Sequence, residues 1–586
     1  MKKYKGLAGA KGHKTGKAVV KPARECAVSR SKIEDADEEI RRFKEVQSAY
    51  SEELLKLFET TKEELGQDAA EIFKAYRMIA NDDYFFQNAF RKVTEERINI
   101  DYAIEQEKQK TCEMFAGMED TYMRERGMDI ENVCNELIAR LKGIDSGRER
   151  SAPETEPFIV VAQDLTPADT VRLDKKYLRG FVTEKGGVTS HAVILAKTLG
   201  IPAVVGACGV TDEIENGASL YINGTEGYVV CEPDEALIKQ YELEKEAMDL
   251  LADHYAKMAK KEARTLDGRR ISVCVNAGDA DSMEEFDAES CDGVGLFRTE
   301  FLYMDERDYP SEDRQFDVYR EVLSKAAGKE VIIRTLDIGG DKQLDYMDLP
   351  KEENPFLGYR AIRLCLDRKE VFKTQLRALL RASVYGRLKI MFPMIVTLEE
   401  LREAKVLLEE AKAELKEEGR AYAPKIPTGI MVETPAAVLL SDKLAREADF
   451  FSIGTNDLIQ YTTASDRMNE KVQYLYTPQN LSVLRAIRLV IENGHKAHIP
   501  VGMCGEAASD ERLVPVLLGL GLDEFSMVPP QVGKVKSMIC RMDHKEMEAL
   551  AQTVLSLDTV KEVEETLSKL SFAEREGEAD AALPRE

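Results

Sequence analysis

A chain of 586 residues is too long for one ordinary domain, so three or four domains are expected, and its 44% hydrophobic content is that of a globular protein. A net charge of −25 disfavours nucleic acid and anionic membranes as partners; it suits a basic protein partner, and equally a simple need for solubility. There is no apolar run of about 18 residues for a membrane span and no signal-peptide core in MKKYKGLAGAKGHKTGK, and the ten scattered cysteines without a CxxC pair suit reduced thiols in a cytoplasm.

Residues 1–25 are rich in Gly and Lys and end on Ala18-Val19-Val20, which reads as a turn and one strand. Gly16-Lys17 half-matches a phosphate-binding P-loop. The motif's first glycine position falls on Lys11 and its hydroxyl position on Ala18, so no nucleotide site is expected. Over 26–145 the apolar residues Ile33, Ala36, Ile40, Phe43, Tyr50, Leu54 and Leu57 recur at steps of three and four, the spacing of a helical bundle. PFIVV (157–161) opens a different texture, in which FVT (181–183), IPAVVG (201–206), LYING (220–224) and YVV (228–230) read as strands. These strands predict a compact α/β unit over 1–25 plus 146–231, with the helical block inserted in it.

Residues 232–264 read as a charged linker helix. Over 265–570 a strand–loop–helix pattern repeats. Its strands are RISVCVN (270–276), DGVGLF (292–297), EVIIRTLD (330–337), LKIMFPM (388–394), TGIMVE (428–433), ADFFSIG (448–454), IPVGMCG (499–505) and LDEFSM (522–527). Eight such strands predict a (β/α)8 barrel. The residues from 571 to 586 read as a flexible tail.

A barrel of this kind carries its site at the C-terminal ends of its strands. Those ends hold Asn276, Arg298, Arg334, Met394, Glu433, Asn456-Asp457, Cys504 and Ser526. Arg298 and Arg334, with Arg360 in NPFLGYR and Arg467 beyond Asp457, are suited to phosphate and carboxylate oxygens. Each could instead pair with a barrel carboxylate, a reading that weakens when several share one rim. DIGGDK (337–342) adds a turn whose N–H groups could cradle phosphate. Glu433 and Asp457 end successive strands, and two carboxylates completed by substrate oxygens suit magnesium. Cys504, between glycines in GMCGE, is placed for proton transfer.

The smaller unit contains EKGGVTSHAVILAKTLG (184–200). Its glycines predict a tight turn, Thr189 and Ser190 are N-cap residues, and His191 opens a helix. Free N–H groups and the helix dipole there favour a phosphate and a neutral imidazole, the form that attacks phosphorus.

The motifs GGVTSH, DGVGLFRTEFL, TLDIGGDK, NPFLGYRAIR, MVETPAA, SIGTNDLIQYTTASDR and GMCGEAASD together resemble enzyme I of the phosphoenolpyruvate-dependent sugar phosphotransferase system, over nearly the whole chain and in matching domain order. The resemblance implies a multidomain α/β fold: a helical bundle inserted in a swivelling phosphohistidine domain, then a linker helix and a TIM barrel. It implies His191 as the phosphorylated nucleophile. Arg298, Arg334 and Arg467 would hold the substrate phosphate with Asn456 and the backbone at Asp457. Glu433 and Asp457 would bind Mg2+, and Cys504 would supply the proton that completes pyruvate. It further implies a homodimer through the barrel and docking of the phosphocarrier HPr on the helical domain. The helical domain departs from the pattern at Tyr76, where many relatives have histidine, and in ENVCNEL (131–137), which lacks the basic residues common there. The acceptor is therefore expected to be HPr or an HPr paralogue. A dikinase or synthase would carry an ATP-binding domain ahead of the histidine domain, and only helices and a strand are expected there. Hinges near 145–157 and 231–235 would let His191 reach both partners.

Overall fold

The computed structural model describes residues 2–21, 28–144 apart from 66 and 117–120, and 156–569 apart from 166–168, 170–172, 188–189, 279–280, 285, 305, 341–343 and 470. The expected tail at 571–586, most of the hinge at 145–157, Thr189, and Asp341-Lys342 of the glycine turn lie outside the described residues. The chain divides into two compact units, Met1–Glu246 and Ala247–Glu586.

In the first unit the helical block forms α1 (Ala36–Leu65), α2 (Gln67–Ala80), α3 (Asp83–Glu96), α4 (Ile100–Ala116) and α5 (Thr121–Leu141). Asp82 starts α3 by accepting from the N–H groups of Tyr84 and Phe85. The periodic apolar positions meet in one core that includes Phe43, Tyr50, Leu54, Phe73, Phe86, Val93 and Leu137. Tyr76 belongs to that core and accepts a hydrogen bond from Asn132 Nδ2 at 3.3 Å. Asn132 lies in ENVCNEL, so the two departures from the family pattern contact each other.

The same unit holds an eight-stranded sheet ordered β1-β8-β7-β3-β4-β5-β6-β2. The strands are β1 (Lys2–Lys5), β2 (Leu7–Ala10), β3 (His13–Lys21), β4 (Phe158–Ala162), β5 (Leu178–Thr183), β6 (Ala203–Val205), β7 (Ser219–Asn223) and β8 (Tyr228–Cys231). The N-terminal segment thus supplies three strands where one was expected. KKYK and LAGA carry too few apolar residues to show alternation, and they are the two edges of the sheet, paired on one side only with β8 and β6. Successive residues of β4 face opposite ways. Phe158, Val160 and Ala162 pack with Ala192, Val193 and Leu195 of the helix His191–Thr198, whereas Ile159 and Val161 pack with Val204, Val210 and Ile222.

The expected linker is the helix Glu235–Ala259. The second unit is a closed barrel, with all eight expected strands present and every pairing parallel. They are β9 (Ser272–Ala277), β10 (Gly293–Arg298), β11 (Glu330–Arg334), β12 (Arg387–Phe392), β13 (Thr428–Val432), β14 (Phe451–Ile453), β15 (Val501–Met503) and β16 (Glu524–Met527). Alternation along each strand sorts the side chains. Val331, Ile333, Leu388, Ile390, Ile430, Val432, Phe451, Ile453, Val501 and Phe525 face the surrounding helices as part of one large core. The residues between them point into the barrel. There Leu296, Ile332, Met391, Met431, Phe450 and Cys504 form a separate apolar cluster.

Candidate active site at the barrel mouth

The apolar cluster floors a charged mouth. Arg334 ends β11 and is buried; Nη1 meets Asp337 Oδ2 at 2.9 Å, and Nη2 meets Glu300. Arg360, also buried, donates from Nη2 to Asp337 Oδ1 at 2.9 Å and to Asp457 Oδ2 at 3.3 Å. Asp337 therefore clamps two arginines at once. Burial alone would lower both guanidinium pKa values, but the carboxylates outweigh it and hold the pair above the ordinary arginine value.

Arg298 sits differently. It is exposed, lies over the Phe301 ring at 5.3 Å, and has no ion pair among the described residues, so it is available to an incoming anion. Arg467 lies over Phe356 at 5.3 Å, with Nη1 at 3.8 Å from Asp457 Oδ1. Asn456 is placed by Tyr476, whose hydroxyl donates to the Asn456 carbonyl at 3.2 Å.

Glu433 follows β13 and is buried. Its Oε1 accepts from the Met394 N–H at 2.6 Å, where Met394 is turned to a positive φ of 55°. Burial, together with the Asp457 and Asp337 charges, pushes its carboxyl up to about 8. Among the described residues nothing donates a hydrogen bond to the buried Asp457 Oδ1. A carboxyl that resists ionisation beside a carboxylate oxygen with no donor is what a cation between them would correct. The residues present therefore fit a divalent metal. No cluster of three or more His, Cys, Asp or Glu side chains that could hold a metal ion occurs among the described residues.

Cys504 follows β15 and is buried, and Ser452 Oγ donates to its sulfur at 3.3 Å. Burial pushes the thiol up to about 11, with the Ser452 bond acting against the shift. The protonated thiol is thus the resting form, as a proton donor requires.

In the first unit, His191 is the first residue of its helix, after the N-cap Ser190. Ser190 has N-cap backbone angles, but its hydroxyl makes no capping bond and is buried with no hydrogen-bond partner among the described residues. The capping bond expected of Ser190 is therefore absent. The glycine turn is needed sterically: Gly186 has φ 96°, and a Cβ there would meet Ser190 Cβ at 3.2 Å.

Three models of phosphoenolpyruvate-utilising enzymes match the chain in succession: the N-terminal domain over 5–126, the mobile domain over 154–227 and the phosphoenolpyruvate-binding domain over 252–544. A phosphoenolpyruvate-protein phosphotransferase of Bacillus subtilis is 44% identical over 563 residues, covering 96% of this chain and 98% of that protein. Another, of Listeria innocua, is 44% identical over 568 residues, covering 97% and 99%. The chain belongs to the phosphoenolpyruvate-protein phosphotransferase family.

It is an enzyme of that type. The family's TIM barrel and mixed α/β architecture are those described above. Among the described residues no helix is long and apolar enough to cross a membrane. The structure brings Arg334, Arg360, Glu433, Asp457, Arg467 and Cys504 to one barrel mouth. The alternative in which arginines pair with barrel carboxylates holds for Arg334, Arg360 and, at 3.8 Å, Arg467, and those carboxylates themselves belong to the mouth.

Sequence reasoning missed the groups behind the site. Gln375 is fully buried; its Nε2 donates to Thr299 Oγ1 at 3.2 Å and Tyr319 Oη at 3.1 Å, and its Oε1 accepts from Leu336 N at 2.9 Å. Thr299 Oγ1 in turn donates to the Arg334 carbonyl at 3.0 Å. One amide thus ties the ends of β10 and β11 together, with every polar atom used. Its signal was a lone glutamine on the apolar face of the helix Lys369–Ala382.

Proposed function

We propose that this enzyme transfers the phosphoryl group of phosphoenolpyruvate to His191 and then to a histidine of HPr or an HPr paralogue. Pyruvate is released, and the reaction is the first step of phosphotransferase-system sugar uptake. The observation that carries the reading is the convergence of two buried arginines, an exposed rim arginine, a carboxylate pair and a protonated thiol at one barrel mouth.

In this reading Arg298, Arg334 and Arg467 hold the phosphate, with Asn456 and the Asp457 backbone beside them. Arg360 is poised by Asp337 to contact substrate. Glu433 and Asp457 would hold Mg2+, which when bound neutralises charge on the transferring group. Cys504 protonates the leaving enolate. Residues 1–25 plus 146–231 act as the swivelling phosphohistidine domain, 26–145 as the HPr-binding domain, 232–264 as the linker and 265–570 as the barrel through which two copies dimerise. The cytoplasm, where both small partners would be found, is the proposed location.

Metal binding should depend on pH with a definite sign. A cation on Glu433 must displace the proton that the raised pKa, about 8, keeps there. Apparent Mg2+ affinity should therefore rise by close to tenfold per pH unit from about pH 6 to 8 and flatten above. Titration calorimetry at several pH values measures this, and an affinity flat between pH 6 and 8 would refute it.

Transfer to the carrier is tested directly. Enzyme labelled from phosphoenolpyruvate, freed of substrate and mixed with HPr, should lose its label to HPr within the mixing time. Label retained against every HPr and paralogue offered would overturn the carrier assignment while leaving the first half-reaction standing.

A further inference from the structure

The barrel interior holds a charged layer that the site above does not use. Glu524, on β16, points into the barrel, where β10 and β15 make room for it with glycines. A Cβ at Gly295 would lie 2.8 Å from Glu524 Oε1, and one at Gly502 would lie 3.2 Å from both its Cβ and Oε1. Strand register lines up three positions: Ser452 of β14 is paired with Gly502 of β15, and Gly502 with Glu524 of β16. Gly502 has no side chain, so the Glu524 side chain lies over it, in register with Ser452 on the next strand, with Cys274 as its hydrogen-bond partner. Ser452 already donates to Cys504 Sγ.

On its other side Glu524 is paired in register with Ser272, which lines a cavity of about 620 Å³ at the N-terminal ends of the strands, opposite the active site. Arg270, Asp292, Glu330, Arg387, His495 and Asp523 also line it. The groups acting on Glu524 are Lys389 of β12, Glu330 of β11, Cys274 of β9 and Asp292. Lys389 is itself neutralised by Glu330 at 2.6 Å. Burial raises the Glu524 carboxyl above its ordinary value, which favours its holding a proton.

We propose that Glu524 reloads Cys504 with its proton from inside the barrel, through Ser452 and the space over Gly502, drawing on water in the lower cavity. The inference rests on the reading of Cys504 as the proton donor. When the thiol gives its proton to C3 of the enolate, the S–H electron pair stays on sulfur. The thiolate takes the Ser452 hydroxyl proton, the Ser452 oxygen takes the Glu524 carboxyl proton, and the Glu524 carboxylate takes one from cavity water. Protonation at the methylene carbon thus never opens the phosphate-bearing mouth to solvent. Ser452 and Glu524 act through Cys504 and touch no substrate.

The test needs no carrier protein. The full-length enzyme, Mg2+, phosphoenolpyruvate and carbon-14-labelled pyruvate are equilibrated in heavy water, and both carbon label and deuterium in phosphoenolpyruvate are followed. The reverse half-reaction moves a methyl hydrogen onto Cys504, where it is either returned or exchanged. In the wild type deuterium should keep pace with carbon. In Glu524→Gln the ratio of deuterium to carbon should fall about tenfold or more, because the hydrogen is returned before it exchanges. A merely structural role would slow both labels together and leave the ratio unchanged, which would overturn the proposal. If Glu524→Gln does not fold, Gly502→Ala, which fills the space, decides by the same ratio. Cys504→Ala separates the two readings: exchange of both labels at the wild-type rate there would remove Cys504 as donor, whatever Glu524 does.

Discussion

Replacing Arg334 with alanine should lower kcat/KM for phosphoenolpyruvate by about a thousandfold and destabilise the barrel by about 3–5 kcal/mol. Both effects have one origin. Arg334 is buried between Glu300 and Asp337, so its removal strips one counter-charge from two carboxylates in a dry interior. Asp337 would then lean on Arg360 alone and draw it away from Asp457. The phosphate loses one guanidinium directly and the placement of a second indirectly. Arg334→Lys keeps the charge but not the planar fork, so it should recover most of the stability and little of the activity. Steady-state kinetics with thermal or urea unfolding measures the two effects separately. Full activity in Arg334→Ala would show that this guanidinium is only a structural counter-ion.

Much of the fold is legible in the sequence because buried parallel strands must be continuous apolar runs. All eight barrel runs proved to be strands for that reason, and the rule that sites lie at strand C-termini then located Arg334, Glu433 and Cys504. β1 and β2 were illegible because an edge strand of four residues needs no apolar face. The counter-ions were illegible for another reason. Asp337 and Glu300 look like ordinary loop carboxylates, and only the folded spacing shows that they meet Arg334. Gln375 lies about 40 residues beyond the arginine it supports. Gly502 drew no notice inside the strand IPVGMCG, whereas the Glu524 side chain lies over it inside the barrel. Tyr76 read as a departure on the carrier-facing domain. It is buried in the helical core, with its hydroxyl bonded to Asn132.

The structure also clarifies what the first unit contributes. His191 stands at a helix start whose Ser190 hydroxyl is buried and unused. Val193 and Ile194 bond back to the Ser190 carbonyl, so only the N–H groups ahead of them are left for an anion, which would suit the proposed phosphohistidine.

The central claim is that this chain phosphorylates itself on His191 from phosphoenolpyruvate. Wild type and His191→Ala are incubated with phosphoenolpyruvate labelled in its phosphoryl group and Mg2+, without ATP, then separated from small molecules. The wild type should retain acid-labile label approaching one phosphate per chain, and His191→Ala, with an unchanged unfolding midpoint, should retain none. Label that persists in His191→Ala, or that appears in the wild type only when ATP is supplied, would contradict the account.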